Sequence, residues 1–185
     1  MKISVCMMVR NEEALLGRAL ASTLGLADEV VIVDTGSTDG TIQLAEQFGA
    51  RVLTGGDRRH KAQERNRGIQ AAQGDWVVIL DADEVIADPV GLRAFLAQTT
   101  AQAVYIRETF MDGDRATLSF HQMRCWRRGA FLYRYRAHEV PLPVDGWGEC
   151  VYSDFVWEHR PPATGREWKR EHMLMLLCMD VEEWP

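Results

Sequence analysis

Apolar runs alternating with segments of helical periodicity constrain this chain more tightly than any other feature. "ISVCMMV" at 3–9 precedes "RNEEALLGRALASTLG", in which Leu16, Leu20 and Leu24 recur at helical spacing. Asn11 is placed to cap that helix, with Glu12 and Glu13 in its first turn and Gly25 to stop it. "EVVIVD" reads as a second strand, "GSTDGT" as a loop and "TIQLAEQFG" as a second helix ending at Gly49. "ARVLT" supplies a third strand, "HKAQERNRGIQAAQG" a third helix and "DWVVIL" a fourth strand. Strands apolar on both faces, alternating with helices, predict an α/β fold whose largely parallel sheet is covered on each side.

The pattern changes after Asp88-Pro89, which reads as the N-cap and first position of a helix carrying Leu92, Phe95 and Leu96. "AVYIRETF", "ATLSFHQMRCW" and "AFLYRYRAHEV" mix polar residues into strand-like runs, which predicts a smaller antiparallel portion with a wet face or a ligand cleft. "GREWKREHMLMLLCM" reads as a final helix, and the abrupt stop at "EEWP" suggests the front part of something longer. With 185 residues, 46% hydrophobic and 26% charged, the chain suits one globular domain. Its net charge of -6 argues against nucleic acid as a partner. Cysteines at 6, 125, 150 and 178 form no CxxC pair, which fits a reducing cytoplasm better than a zinc or redox site. The apolar run near the N-terminus is too short for a secretory signal, and no segment approaches the ~20 apolar residues of a membrane span. Peripheral contact with the inner face of a membrane stays open.

Ligands of an open parallel sheet bind beyond the carboxyl ends of its strands. The loops there are "RNEE", "DTGSTDGT", "TGGD" and "DADE", whose acids and glycines on one rim suggest a nucleotide and metal site. "VVILDADEV" is the sharpest of them, a buried strand that runs into Asp81, Asp83 and Glu84 and therefore needs a positive charge beside it. Residues two apart on an extended strand end share a face, so Asp81 and Asp83 are expected to converge on one Mg²⁺ or Mn²⁺ ion. The plainer reading makes them solvated acids or helix caps. Glu84 has no assigned task.

In order and spacing, "VCMMVRNEE", "DEVVIVDTGSTDGT", "RNRG" and "GDWVVILDADE" resemble the donor-binding half of family 2 glycosyltransferases, which have the Rossmann-like GT-A fold. The likeness is specific over residues 1–86. It is looser through "YRYRAHEV", "EHRP" and "KREHMLMLL", which are similar to the bacterial branch around lipopolysaccharide-core glucosyltransferases and repeat-containing glycosyltransferases of cell-envelope glycan biosynthesis. The resemblance implies a single GT-A domain over 1–185, with a nucleotide-sugar-binding half at 1–86 and an acceptor-side half at 87–185. It also implies site residues. The Val9 backbone, Arg10 and Glu12 would line the nucleoside, Asp34 would bond the nucleobase, and Arg65 would lie near the base or diphosphate. Asp81 would contact the ribose or a metal-bound water, Asp83 would ligate the metal, and His159 would close its shell. Glu139 in "AHEV", with His138 in reserve, would take the acceptor's proton in an inverting transfer from a UDP-sugar to a glycan, lipid or protein.

Each of these has a plainer alternative. Asp34 can be a turn cap, Arg65 a surface helix residue, His138 and Glu139 an ordered surface pair, and His159 a structural histidine. His60, His121 and His172 have no support from the resemblance. Trp126, Tyr133, Tyr135, Trp147 and Trp157 read mostly as core, with a sugar-stacking platform as the alternative. A haloacid-dehalogenase-type phosphohydrolase also carries DxD after a buried strand, but after the first one of its fold, whereas three strand-helix units precede "DADE" here. A catalytically inactive nucleotide-sugar-binding scaffold would differ from an active transferase only in its acceptor half.

Overall fold

The computed structural model describes residues 1–56, 60–135 and 139–160. The expected C-terminal helix and His138 lie outside the described residues. The first half runs β1 (Ile3–Val9), α1 (Glu13–Ala21), β2 (Glu29–Asp34), α2 (Thr41–Gln47), β3 (Arg51–Thr54), α3 (Lys61–Ala71), β4 (Trp76–Ile79). The second runs β5 (Glu84–Ile86), α4 (Pro89–Gln98), β6 (Ala103–Asp112), β7 (Arg115–Arg127), β8 (Phe131–Arg134), β9 (Val140–Pro143), β10 (Cys150–His159). Eight strands form one sheet in the order β3-β2-β1-β4-β7-β6-β10-β5, and β8 and β9 pair separately. β1 to β4 are mutually parallel, as their apolar two-faced sequences predict. β7 is antiparallel to β4 and to β6, and β10 is parallel to β6 and antiparallel to β5, so only β5 and β7 oppose the common direction.

The alternation of side chains along each strand builds a core on either face. Ile3, Val5, Met7 and Val9 pack with Leu16 and Leu20 of α1 and Leu92 and Leu96 of α4, while Cys6, Val31, Val77 and Ile79 pack with Ile69 of α3. Trp157 is fully buried and donates its indole N–H to the Ile79 carbonyl at 3.2 Å, tying β10 to the end of β4.

Local signals behave mostly as their chemistry dictates. Asp88 caps α4 by accepting from the Gly91 amide at 2.8 Å, with Pro89 at the first helical position. Asn11 does not cap α1. It takes a left-handed φ of 54°, and Glu12 begins the helix through its carbonyl. The Asn11 side chain instead accepts from the Thr38 amide at 2.8 Å, joining the loop after β1 to the loop after β2. Leu24 is 69% exposed because α1 stops at Ala21, before the third leucine of the stripe.

Gly74, between α3 and β4, donates its N–H to Ser4 Oγ at 2.7 Å. A Cβ there would stand 2.7 Å from the Ser4 amide nitrogen, a backbone atom in the middle of the sheet. Gly74→Ala should therefore lower stability by about 1–3 kcal/mol, read as a lower urea midpoint at unchanged m-value. An unchanged midpoint would mean that β1 yields freely at Ser4.

Candidate active site

From β1 the chain moves outward to β2 and β3, then returns to place β4 on the other side of β1. A strand-order reversal of this kind opens a crevice at the carboxyl ends of the strands, and "DADE" sits there. The extended alternation expected for Asp81 and Asp83 gives way to a turn: β4 ends at Ile79, and the Glu84 amide donates to the Asp81 carbonyl at 3.1 Å. The two aspartates accordingly meet different partners.

Asp81 is held by two guanidinium groups, Arg65 at 2.9 Å and Arg124 at 3.4 Å. Burial works against its charged form, but Arg65 and Arg124 outweigh it and hold the carboxyl well below the usual carboxylate range. Arg124, buried on β7, also bonds Glu84, and it bonds Glu108 at 3.1 Å. Burial, reinforced by Asp81 and Glu108 and opposed by Arg124, pushes Glu84 up to about 8. Three carboxyls thus crowd one buried guanidinium, and burial favours the protonated form of Glu84. The positive charge that "DADE" demands comes first from arginines of the chain itself.

Arg65, on α3, reaches in two directions. Its Nη1 bonds Asp81, its Nε bonds Glu139 at 3.1 Å, and its guanidinium lies 5.4 Å from the Tyr133 ring centre. Asp83 has a different neighbour, His159 Nε2 at 3.2 Å, with its side chain 26% exposed. The His159 ring packs on Phe110, and its Nδ1 lies 3.9 Å from Glu108. Two chains of contacts, Glu139-Arg65-Asp81 and Asp83-His159, are therefore bridged by Arg124 and Glu108.

The residues expected at the nucleoside lie on the stitched loops after β1 and β2. The Val9 carbonyl accepts from the Thr35 amide at 3.0 Å, Arg10 is exposed, and the Glu12 amide donates to Thr41 Oγ1 at 2.8 Å. Asp34 accepts from the Gly36 amide at 3.0 Å and from the Ser37 amide and hydroxyl, the turn-capping geometry weighed against a nucleobase contact. Of the aromatics, Trp126, Tyr133 and Trp157 are core, whereas Tyr135 and Trp147 are exposed.

Asp83 and His159 pair a hard carboxylate oxygen with an imidazole nitrogen at the open edge of the network, a mixed donor set that suits Mn²⁺ better than the oxygen-seeking Mg²⁺. Glu84, Glu108 and His159 also bring ligand atoms within 4.8 Å of one another. Both glutamates already face Arg124, so a cation among all three would have to displace a guanidinium. Arg124 and Glu108 were not among the residues anticipated from sequence. The available signal was a charged residue set within "QMRCW" and "YIRETF", strands otherwise apolar enough to be buried.

Among the described residues no helix is long and apolar enough to cross a membrane. The family model described as Glycosyl transferase family 2 matches residues 4–158. A TPR repeat-containing protein of Synechococcus elongatus is 41% identical over 116 residues, which is 61% of this chain and 29% of that protein. An uncharacterized glycosyltransferase of Rickettsia felis is 36% identical over 86 residues, 46% of this chain and 30% of that one. The chain thus matches less than a third of the length of either relative. Among solved structures, S. aureus TarS aligns over 99% of this chain and 67% of its own, with a TM-score of 0.63 at 18% identity. Glucosyl-3-phosphoglycerate synthase from Mycobacterium tuberculosis, in complex with Mn²⁺, UDP and phosphoglyceric acid, aligns over 96% of this chain and 78% of its own, with a TM-score of 0.59 at 21% identity. Likeness at these identities is likeness of fold.

Proposed function

The chain belongs to glycosyl transferase family 2 and has the GT-A fold, and from that premise we propose that it transfers a sugar, with inversion, from a UDP-linked donor to an acceptor hydroxyl. The observation that carries this reading is Arg65, whose single guanidinium bonds both Asp81 beside the donor crevice and Glu139, the candidate base. The acceptor oxygen attacks the anomeric carbon of the donor sugar. The new C–O bond forms as the bond from that carbon to the diphosphate oxygen breaks, the acceptor's proton passes to the Glu139 carboxylate, and UDP departs as the anion.

Val9, Arg10 and Glu12 line the nucleoside, Asp34 bonds the nucleobase with the lone pairs its turn leaves over, and Asp81, fixed by two arginines, faces the ribose. Asp83 and His159 would hold Mg²⁺ or Mn²⁺, which when bound supplies charge to offset that developing on the diphosphate. Arg65 adds a fixed positive charge on the same side. The acceptor is a glycan, lipid or protein handled by the second half of a single domain. The free thiols Cys6, Cys125 and Cys150 support a reducing, cytoplasmic setting.

Calorimetric titration of UDP with and without Mn²⁺ tests the donor site. UDP should bind with Mn²⁺ present, and Asp83→Ala should weaken that binding by roughly tenfold or more. Equal binding by the variant would remove Asp83 from the site, and no UDP binding at all would remove the reading. Binding that is never followed by UDP release would leave a nucleotide-sugar scaffold.

A further inference from the structure

A cavity of about 680 Å³ lies between α3 and β8, lined by Gln63, Asn66, Arg67 and Gln70 of the helix and by Tyr133, Arg134 and Tyr135 of the strand and its end, with His60 at one side. Among the described residues no acid lines it, in a chain whose net charge is -6. Its shape is fixed by the backbone: the Asn66 side chain accepts from the Tyr133 amide and donates to the Tyr133 carbonyl, each at 2.8 Å, and so holds the edge of β8 against the helix. Arg67 and Arg134 are both exposed, Arg67 with its guanidinium 3.2 Å from the buried Glu64. Tyr135 holds a left-handed φ of 68°, an unfavourable conformation for an aromatic residue, and this position belongs to the cavity wall.

The lining chemistry is selective. Amides and tyrosine hydroxyls on a rigid wall recognise a polyol through directed hydrogen bonds, tyrosine faces accept the apolar side of a sugar ring, and the Arg134 guanidinium, with Arg67 already paired to Glu64, favours an anion. Tyr133 also connects the cavity to the proposed chemistry, since its ring lies under Arg65, which bonds Glu139. We propose that this cavity is an acceptor subsite that binds a sugar carrying an anionic group, phosphate or carboxylate. The proposal rests on the glycosyl-transfer reading for the word acceptor, and its binding chemistry can be tested apart from that reading.

The experiment titrates the intact chain with glucose 6-phosphate, glucuronate and glucose, followed by ligand-observed NMR, and titrates UDP with Mn²⁺ in parallel. At least one anionic sugar should bind ten times or more tighter than glucose. Arg134→Ala should remove that preference and leave UDP binding unchanged, and Gln70→Ala should weaken the same sugar by severalfold. The two anionic probes separate a phosphate from a carboxylate as the favoured group. Equal binding of all three sugars, no binding of either anionic sugar, or a preference that survives Arg134→Ala overturns the proposal. Because Arg134 and Gln70 are exposed, neither substitution threatens the fold. Failure of UDP to bind would overturn the glycosyl-transfer reading while the sugar titrations still decided the cavity.

Discussion

Arg124→Met is expected to destabilise the protein by about 3–5 kcal/mol, the range for removing one partner of a buried ion pair and stranding the other. Three carboxyls depend on this guanidinium: Asp81, Glu84 and Glu108. Methionine fills much of the volume, so the loss reports charge more than cavity. Arg124→Lys should fall between, since a point charge cannot address all three acids as a planar fork does. Urea unfolding measures it, and the diagnostic result is a change of sign. Glu84→Gln should destabilise the wild type, where the two carboxylate oxygens accept from Arg124 and from the Asp81 amide and glutamine has only one oxygen to serve both, and stabilise Arg124→Met, where it removes a stranded acid. Additive effects of the two substitutions would mean that the arginine serves only to pack β7.

The same cluster sets a dependence on pH. Glu84 has an ordinary value of 4.5 and rises to about 8 in the fold, so between those values the folded chain holds a proton that the unfolded chain has released. Its contribution to stability is therefore full below about 4.5 and falls as pH rises toward about 8. Asp81 is lowered, so its contribution is present above the unfolded carboxylate value and is lost as pH falls through its folded one. The two oppose each other in the wild type. Without Arg124, Asp81 and Glu84 both bind protons more tightly in the fold, so the variant's deficit should grow from pH 5 to pH 8.

The alternation that predicts β1 to β4 and their helices is local, written in runs of about four to ten residues, and it is legible for that reason. The sequence also marks the rim, because the loops after parallel strands must lie at one end of the sheet. Arg124 and Glu108 were hidden by distance: they meet Asp81 and Glu84 only because β7 inserts between β4 and β6, a pairing no spacing reveals. The three-residue β5 was likewise illegible, since Glu84 to Ile86 become a strand by pairing with β10 more than seventy residues away. Asn11 has the composition of a cap yet serves a loop-to-loop bond, because the left-handed conformation open to asparagine lets the chain turn one residue later. The acids of "DADE" call for a positive charge, which the sequence reading assigns to a metal ion. In the structure arginines answer Asp81 and Glu84, while Asp83 faces His159.

Glu139→Gln should slow UDP release from a UDP-sugar by ~10²-fold or more, the scale of a lost general base, while UDP affinity changes less than twofold. Glutamine keeps an oxygen that can accept from Arg65 Nε, so the contact that orients this position survives and only the proton acceptor is lost. A fall in kcat at constant UDP affinity therefore separates base chemistry from scaffolding. Arg65→Gln should behave differently. It frees Glu139 and strips Asp81 of its closer cation at once, so donor affinity and turnover should fall together. The release of UDP to water provides the assay without any known acceptor, because water in the acceptor's place needs the same proton removed. If Glu139→Gln turns over like the wild type, the base lies elsewhere and His138, its neighbour in sequence, becomes the next residue to replace. If instead both variants lose UDP binding equally, Glu139 serves the donor site through Arg65, and the bond between the two is structural rather than the link between donor and acceptor.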